Sequence, residues 1–251
     1  MATYTVKAQL KAAAALKDHL NEMTFAPPVS HVYNPLTYAW SAFEEYVTRY
    51  GSMTKRVLFL GMNPGPWGMA QTGVPFGEVT AVRDWLGISA SIGRPDKIQP
   101  GYPVDGYSCK RSEVSGKRLW GLFRERFGTA EAFFDGHFVA NYCPLLFIEV
   151  YLAANEKERA RNLTPDKLKP SERVLLHEAC NAHLRAIVDA LKPLYIVGIG
   201  AFAAQRAGEA LQGMAGITIA KILHPSPASP KSNTDWGGEV TRQLTTLGIW
   251  Q

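Results

Sequence analysis

Four short, almost continuous apolar runs constrain the fold of this chain more than any other feature. They lie at Arg56–Leu60, His137–Ala140, Leu194–Val197 and Ile217–Leu223, with helical segments between them. A strand that helices cover on both faces needs apolar side chains at nearly every position, and such strands belong to parallel sheets. Strands that alternate with helices are joined by right-handed crossovers. The sequence therefore predicts an α/β fold with a parallel sheet.

The rest of the pattern predicts helices and one long irregular segment. The helical segments are Lys7–Met23, Tyr38–Tyr50, Val79–Leu86, Gly116–Phe127, about Ser171–Leu191, Ala201–Leu211 and Gly237–Leu247. Ser171 is a suitable N-cap for the longest helix, and Glu172 places a negative charge in its first turn, where the helix dipole favours it. Gly87–Ser112 is predicted to be an irregular surface loop.

Composition limits the class of protein. Of 251 residues, 46% are hydrophobic and 20% charged, as in globular proteins, and the net charge of +5 favours a polyanionic partner without naming it. The three cysteines, Cys109, Cys143 and Cys180, form no CxxC pair and have no histidine spacing that suits zinc. We therefore expect reduced thiols in an intracellular protein, in the cytoplasm or nucleoid of a bacterium or the nucleus of a eukaryote. No apolar run approaches the roughly 20 residues of a membrane span.

Polar residues follow the predicted strands, at the edge where α/β sheets bind ligands. Asn63 follows the first strand, Asn141 the second and His224 the fourth, with no carboxylate among the residues at these strand ends. Each residue taken singly is more often a turn or cap residue. Three together favour a binding or catalytic site.

Other familiar motifs fit less well. Gly198–Ala203 loosely satisfies GxGxxA, but the acidic residue expected roughly 20 residues later is missing, so the segment indicates tight strand–helix packing. The glycines after the first strand are not followed by Gly-Lys-Ser/Thr, which excludes a P-loop. Ser226 and Ser229 lack the GxSxG elbow of serine hydrolases. Cys143 lies in an apolar segment, and a cysteine in such a segment more often packs in the core than takes part in a reaction.

Four segments together resemble the uracil-DNA glycosylase superfamily, and most closely its single-strand-selective monofunctional branch. They are GMNPGPWGMAQTGVPFGEV from Gly61, RSEVSGKRLWG from Arg111, NYCPLLF from Asn141 and HPSP from His224. The similarity extends from about Ser41 to Trp250. It implies one domain over residues 1–251, with an N-terminal helical extension in about residues 1–50. The implied fold has three α/β/α layers around a short, mainly four-stranded parallel sheet.

The resemblance also implies site residues. Asn63 would position the attacking water, His224 would bind the uracil O2, Phe76 would stack on the base and Asn141 would recognise its edge. Pocket residues are Met62 and Gly65. Candidate DNA contacts are Ser115, Lys117, Pro225, Ser226, Ala228, Ser229 and Lys231. The resemblance implies no metal or redox cofactor, since the branches that carry an iron–sulfur cluster need four cysteines and this chain has three.

Two positions depart from the family pattern. Trp67 replaces the usual phenylalanine, and Ala228 stands where the family often has an arginine. The second difference concerns the opening of duplex DNA and leaves the glycosidic chemistry unaffected. We expect uracil in single strands to be removed faster than uracil in a well-paired duplex, because flipping costs least from a single strand.

The residue types suit this chemistry. Breaking the N-glycosidic bond leaves an oxocarbenium-like sugar and a uracil anion, and His224 can donate a hydrogen bond to the anion. Asn63 is no strong base but can hold a water, and Asn141 offers an acceptor and a donor that match uracil N3–H and O4. The glycines of the loop admit backbone close to a nucleotide, and its prolines stiffen it. No lysine that could form a Schiff base lies within the three motif segments at the strand ends, although Lys221 is near in sequence, and this favours a monofunctional enzyme.

Two alternatives stay open from the sequence. One is a non-catalytic nucleic-acid-binding domain, with Arg111, Lys117, Arg118 and Lys231 as phosphate contacts; the intact Asn63 and His224 oppose it. The other is a hydrolase of free nucleosides, which the positive net charge and the loop after His224 oppose mildly. Under the favoured interpretation the protein is a monomer whose partner is uracil-containing DNA, single-stranded or duplex, with no membrane association.

Overall fold

The computed structural model describes residues 3–155, 157–228 and 232–251. Its helices are α1 (Tyr4–Glu22), α2 (Pro35–Tyr38), α3 (Trp40–Tyr50), α4 (Met69–Thr72), α5 (Val114–Phe127), α6 (Ala130–Gly136), α7 (Pro170–Leu191), α8 (Ala201–Ala210) and α9 (Ser232–Thr246). The strands are β1 (His31–Tyr33), β2 (Val57–Gly61), β3 (His137–Asn141), β4 (Leu146–Leu152), β5 (Glu158–Leu163), β6 (Tyr195–Ile199) and β7 (Thr218–Ile222).

The predicted parallel sheet is confirmed. Its four strands lie in the order β3-β2-β6-β7, and every neighbouring pair is parallel. All five residues of the central strand β2 are buried, which explains why its sequence is apolar without alternation. The register places Gly61 opposite Asn141, so β2 and β3 end at the same level.

Helices flank this sheet in two groups, which agrees with the expected α/β/α layers. In the first group α7 lies between α1 and α8 and contacts both of them, and α8 packs on β6, β2 and β7. In the second group α5 contacts both α6 and α9, while α6 contacts β3. Phe59 of β2 packs against the tilted ring of Phe123 in α5 and stacks on Phe133 of α6, which fixes this group to the sheet centre. Within the described part of the chain, no helix is both long and apolar enough to cross a membrane.

A second sheet was not expected from the sequence. It is antiparallel, with the order β1-β4-β5, and lies outside the parallel sheet. β1 has three residues, and β5 exposes most of its side chains, so neither carries a strong apolar pattern. The sheet matters for function because the chain that leaves β5 reaches the site described below.

Several helix boundaries differ from the expectations. α7 begins at Pro170 instead of Ser171, and the Glu172 carboxylate accepts hydrogen bonds from the backbone N–H groups of Lys169 (3.3 Å) and Ala26 (2.7 Å). Ala81–Trp85, within the predicted Val79–Leu86 helix, forms a π-helical turn. Gly87–Ser112 is irregular as expected, apart from a 3₁₀ turn at Gly106–Ser108.

The GxGxxA segment packs strand against helix, as predicted. A Cβ on Gly198 would lie 2.3 Å from the backbone nitrogen of Ala204, too close for any other residue. Gly200 has a φ of 93°, which only glycine adopts readily. These two glycines let α8 start directly at the end of β6, beside His224.

Candidate active site

A cleft of about 270 Å³ opens at the carboxyl edge of the parallel sheet. Eight of the residues singled out from the sequence line it: Met62, Asn63, Gly65, Phe76, Ser115, Asn141, His224 and Ser226. They come from the ends of β2, β3 and β7, the loop after β2 and the start of α5. The fold therefore brings together residues that are more than 150 positions apart in the chain.

Backbone pairing continues beyond the strands and fixes the two asparagines. The N–H of Tyr142 donates to the carbonyl of Gly61, and the N–H of Cys143 donates to that of Met62, both at 2.9 Å. The Nδ2 of Asn63 donates to the carbonyl of Leu145 at 3.1 Å. Because the amide nitrogen is engaged with backbone, the amide oxygen is the group that Asn63 offers to the cleft.

The surroundings of His224 fix its tautomer. The backbone N–H of Ser226 donates to Nδ1 at 3.1 Å, so Nδ1 is an acceptor and the neutral ring carries its proton on Nε2. Burial lowers the pKa of His224 below its usual value, which favours the neutral ring. Ser232 Oγ donates to the His224 carbonyl, and Trp236 Nε1 donates to that of Leu223 at 2.9 Å. α9 thus anchors the end of β7, and His224 presents a neutral Nε2–H donor.

Asn141 carries an unused acceptor. Its side chain is buried, and Oδ1 has no hydrogen-bond partner among the described residues, while Nδ2 donates to Met69 Sδ at 3.3 Å. Oδ1 lies over Gly61. A Cβ on Gly61 would lie 2.4 Å from this oxygen and 2.5 Å from the Phe76 ring, so only glycine fits there. An unpaired buried oxygen is costly unless a ligand satisfies it.

Phe76 supplies an aromatic wall in an uncommon backbone conformation. Its φ is 52°, a value that costs non-glycine residues energy. Trp120 Nε1 holds the Phe76 carbonyl at 3.0 Å, and a Cβ on Gly116 would lie 2.1 Å from that oxygen. The Phe76 and His224 ring centroids are 6.4 Å apart. The strain is thus maintained by α5, which directs the ring to the cleft.

The other candidate DNA contacts are distributed around the cleft. Lys117 and Ala228 are exposed and do not line it, and Pro225 is buried beside it. Ser229 and Lys231 lie outside the described residues. Arg118, a phosphate contact in the alternative interpretation, instead binds protein: it donates to the Pro225 carbonyl at 2.8 Å and to Asn233 Oδ1 at 3.2 Å.

A larger, open groove of about 660 Å³ lies on the other side of His224, between β7 and α9. Its side chains carry both charges, including Lys221, Asp235 and Arg242. It lacks both asparagines. The smaller cleft is therefore the candidate active site, because only there do the polar residues of three strand ends meet.

Comparisons with known proteins agree with this geometry. The family model described as the uracil DNA glycosylase superfamily matches residues 48–244. The chain belongs to this superfamily. It is 46% identical over 235 residues to a single-strand selective monofunctional uracil-DNA glycosylase of Rattus norvegicus, covering 93% of this chain and 82% of the rat protein. A Bos taurus protein of the same description is also 46% identical over 235 residues and is covered to 84%.

A solved structure shows the same fold. The crystal structure of wild-type Pedobacter heparinus SMUG2 superposes with a TM-score of 0.67, covering 94% of this chain and 97% of the other, at 18% sequence identity. The resemblance of the motifs to the uracil-DNA glycosylase superfamily is thereby confirmed, and so is the α/β fold class.

Reasoning from the sequence missed part of this cleft. Asn162 and Thr164, at the end of β5, line it from the antiparallel sheet, which the sequence did not predict. Glu113 also lines it, although the strand ends themselves carry no carboxylate. Only the quoted RSEVSG segment could have indicated Glu113. No group of three or more potential metal ligands occurs among residues 3–155, 157–228 and 232–251.

Glu113 is packed against the loop that carries Asn63. A Cβ on Gly65 would lie 2.0 Å from Glu113 Oε1, and one on Gly68 would lie 1.4 Å from Oε2. Oε2 is buried and has no hydrogen-bond partner in the described part of the chain. Burial, with the nearby charge of Glu78, raises the pKa of Glu113 to about 7. The two glycines are therefore needed to admit this carboxyl group.

The raised pKa makes stability depend on pH. Between the unfolded value near 4.5 and the folded value of about 7, the folded state binds the extra proton, so stability falls as pH rises through this window. Glu113→Gln removes this loss. We expect the melting temperature of the variant minus that of the natural protein to be larger at pH 8 than at pH 5. Glu125→Gln, on the exposed side of α5, is the control; an effect of Glu113→Gln that is equal at both pH values contradicts the assignment.

Proposed function

We propose that the protein is a monofunctional uracil-DNA glycosylase that flips uracil out of DNA and hydrolyses its N-glycosidic bond, leaving an abasic site. One observation carries this proposal: the Asn63 amide, the buried Asn141 acceptor and the neutral His224 donor face one cleft of nucleobase size beside an aromatic ring. The names of the relatives, which are uracil-DNA glycosylases, support the same activity.

His224 is the group that stabilises the leaving base. As the bond to the sugar breaks, negative charge develops on uracil and reaches O2. A neutral Nε2–H can donate to this oxygen without first giving up a proton, and the site needs no reorganisation, because the Ser226 N–H already fixes the ring. The lowered pKa is consistent with this role, since an imidazolium is not required.

Asn63 positions the nucleophile. Its amide oxygen is the free end of a side chain that the Leu145 carbonyl holds in place. An amide is too weak a base to remove a proton from water before attack, but the oxocarbenium-like sugar is a strong electrophile that needs little activation of the water. The contribution is orientation of the water toward the anomeric carbon.

Asn141 and Phe76 select and hold the base. Asn141 Oδ1 can accept from uracil N3–H, and the Nδ2 hydrogen that is not donated to Met69 can be donated to O4, whereas cytosine presents the opposite pattern. Phe76 offers a face on which a flipped base can stack. Gly61, without a side chain, leaves room for the base over Asn141.

The two alternatives receive less support. Arg118 is engaged with the loop after His224, which removes one of the phosphate contacts of a purely binding domain. Two exposed cations are close in the chain to the cleft residues Glu113 and Ser115 and suit a polyanionic substrate better than a free nucleoside. They are Lys117 and Arg111, whose guanidinium carbon lies 4.3 Å from the centroid of the Trp67 ring. A monomeric state and an intracellular location stay predictions.

Removing either Asn63 or His224 should abolish most of the chemistry. We expect Asn63→Ala and His224→Ala each to lower the single-turnover rate by about 100- to 1,000-fold, the typical loss for one group that stabilises a transition state. The assay is a single-stranded oligonucleotide with one uracil, treated with alkali to cleave abasic sites. Affinity for the same oligonucleotide should change little. Near-normal rates in both variants contradict the proposed roles, and release of uracil from free deoxyuridine at comparable efficiency supports the nucleoside hydrolase.

The loop after His224 should limit activity on duplex DNA. Ala228 is exposed, and its N–H donates to Ser226 Oγ at 3.2 Å, which places it directly beside the cleft. Its side chain is too short to fill the space that a flipped base leaves. We expect Ala228→Arg to raise the rate on paired A·U more than the rate on single strands.

The ratio of single-turnover rates on single-stranded and paired substrates measures this effect. Gln212→Arg adds the same charge at an exposed position just after α8 and outside the loop, and should leave the ratio unchanged. If Ala228→Arg also leaves it unchanged, another segment opens the duplex.

A further inference from the structure

The Asn141 amide can recognise uracil only if it is held in one of two orientations. Its two ends have similar shape, so a rotation of about 180° exchanges the donor and the acceptor. With Oδ1 toward the cleft the amide matches N3–H of uracil; with Nδ2 toward the cleft it matches the unprotonated N3 of cytosine. Discrimination between the two bases therefore depends on whatever fixes the amide.

In the structure the only group bonded to the Asn141 side chain among the described residues is the thioether of Met69. Nδ2 lies 3.3 Å from Sδ, and both side chains are buried, with 8% and 2% of their surface exposed. A thioether sulfur has lone pairs and no proton, so it can accept from Nδ2 but cannot donate to Oδ1. Rotating the amide would replace a hydrogen bond with a contact between two lone-pair atoms.

Met69 is itself rigidly placed. It begins the short helix α4, which ends at Gly73, where a φ of 73° and the bond from the Gly73 N–H to the Met69 carbonyl (2.8 Å) close the turn. Gln71 of the same helix donates to the carbonyls of Pro66 and Pro103, both at 2.8 Å. The helix therefore cannot shift to accommodate a rotated amide without breaking these bonds.

We propose that Met69 is a specificity-determining residue, whose thioether holds the Asn141 amide in the orientation that accepts uracil and rejects cytosine. The proposal rests on the proposed function, since it assumes that Asn141 recognises the base. Met69 acts through Asn141 and is a positioning residue. This positioning role explains why a thioether, which forms only weak hydrogen bonds, occupies a buried position beside a polar amide.

The cavity behind Met69 provides a reason for the choice of a thioether. About 30 Å³ of space lies there, lined by Met69 and Asn141 together with apolar residues, Gln9 and His183. This is room for one water molecule. A water beside the amide could donate or accept and would therefore satisfy both orientations equally. A thioether accepts hydrogen bonds but has no proton to donate, so it favours one orientation of the Asn141 amide over the other.

The test compares affinities for the two base edges without chemistry. Single-stranded oligonucleotides carry either uridine or cytidine as the 2′-fluoroarabino nucleoside, whose fluorine slows glycosidic cleavage. The ratio of the two dissociation constants is measured for the natural protein and for Met69→Leu, which keeps an apolar side chain and removes the acceptor. We expect the preference for uracil to fall about fivefold, the equivalent of one neutral hydrogen bond of about 1 kcal/mol. Ile187→Val, in the wall of the same cavity, is the control and should keep the ratio.

The outcomes separate this proposal from the proposed function. If Asn141→Ala abolishes the preference but Met69→Leu keeps it, Met69 does not set the orientation. If Asn141→Ala keeps the natural preference, Asn141 does not recognise the base, and both assignments fail. Should Met69→Leu not fold, Met69→Gln serves the same purpose, because its amide can pair with either orientation and the same fall is expected.

Discussion

The pairing of β2 with β3 is the constraint on which the rest of the site depends. Its hydrogen bonds continue beyond the regular strands, from Tyr142 to Gly61 and from Cys143 to Met62. This extension carries the chain from Gly61, which lies opposite Asn141, to Asn63 two residues later. Both asparagines therefore lie at the carboxyl edge of the sheet, where one can orient a water while the other holds the base. Parallel strands end at a common edge, and β7 adds His224 there through β6. The pairing of the backbone strands therefore determines where the side chains of the site lie.

The site is prepared before the substrate arrives. Asn141 Oδ1 and Glu113 Oε2 are buried without partners in the described part of the chain, Phe76 is held at a positive φ, and the Ser226 N–H fixes the His224 ring. The first three of these features cost free energy in the empty protein, because unpaired buried oxygens and a positive φ at a non-glycine residue are unfavourable. Each also reduces the reorganisation that binding or bond breaking would otherwise require. The glycines of the loop, above all Gly61, Gly65 and Gly68, make the arrangement possible because side chains there would overlap the functional groups.

The sequence predicted the parallel sheet because strands buried on both faces have an apolar pattern that other elements lack. It also predicted which residues meet in the cleft, since strand ends share an edge in this topology. The antiparallel sheet was missed because β1 is short and β5 is exposed, so that long-range pairing and not local pattern determines them. The roles of Glu113 and Met69 could not be predicted either. A raised pKa and a contact to an amide arise only when residues distant in the chain are packed together. The tautomer of His224 likewise depends on a backbone N–H whose position only the folded loop determines.

The central claim is that a neutral His224, with its proton on Nε2, stabilises the departing uracil. Nitrogen-15 NMR of protein labelled at its histidine rings tests it directly, with His224→Ala used to assign the signal. At pH 7 the account predicts that Nδ1 of His224 has the chemical shift of an unprotonated nitrogen and Nε2 that of a protonated one. A proton on Nδ1, either in the other neutral tautomer or in an imidazolium, would contradict it.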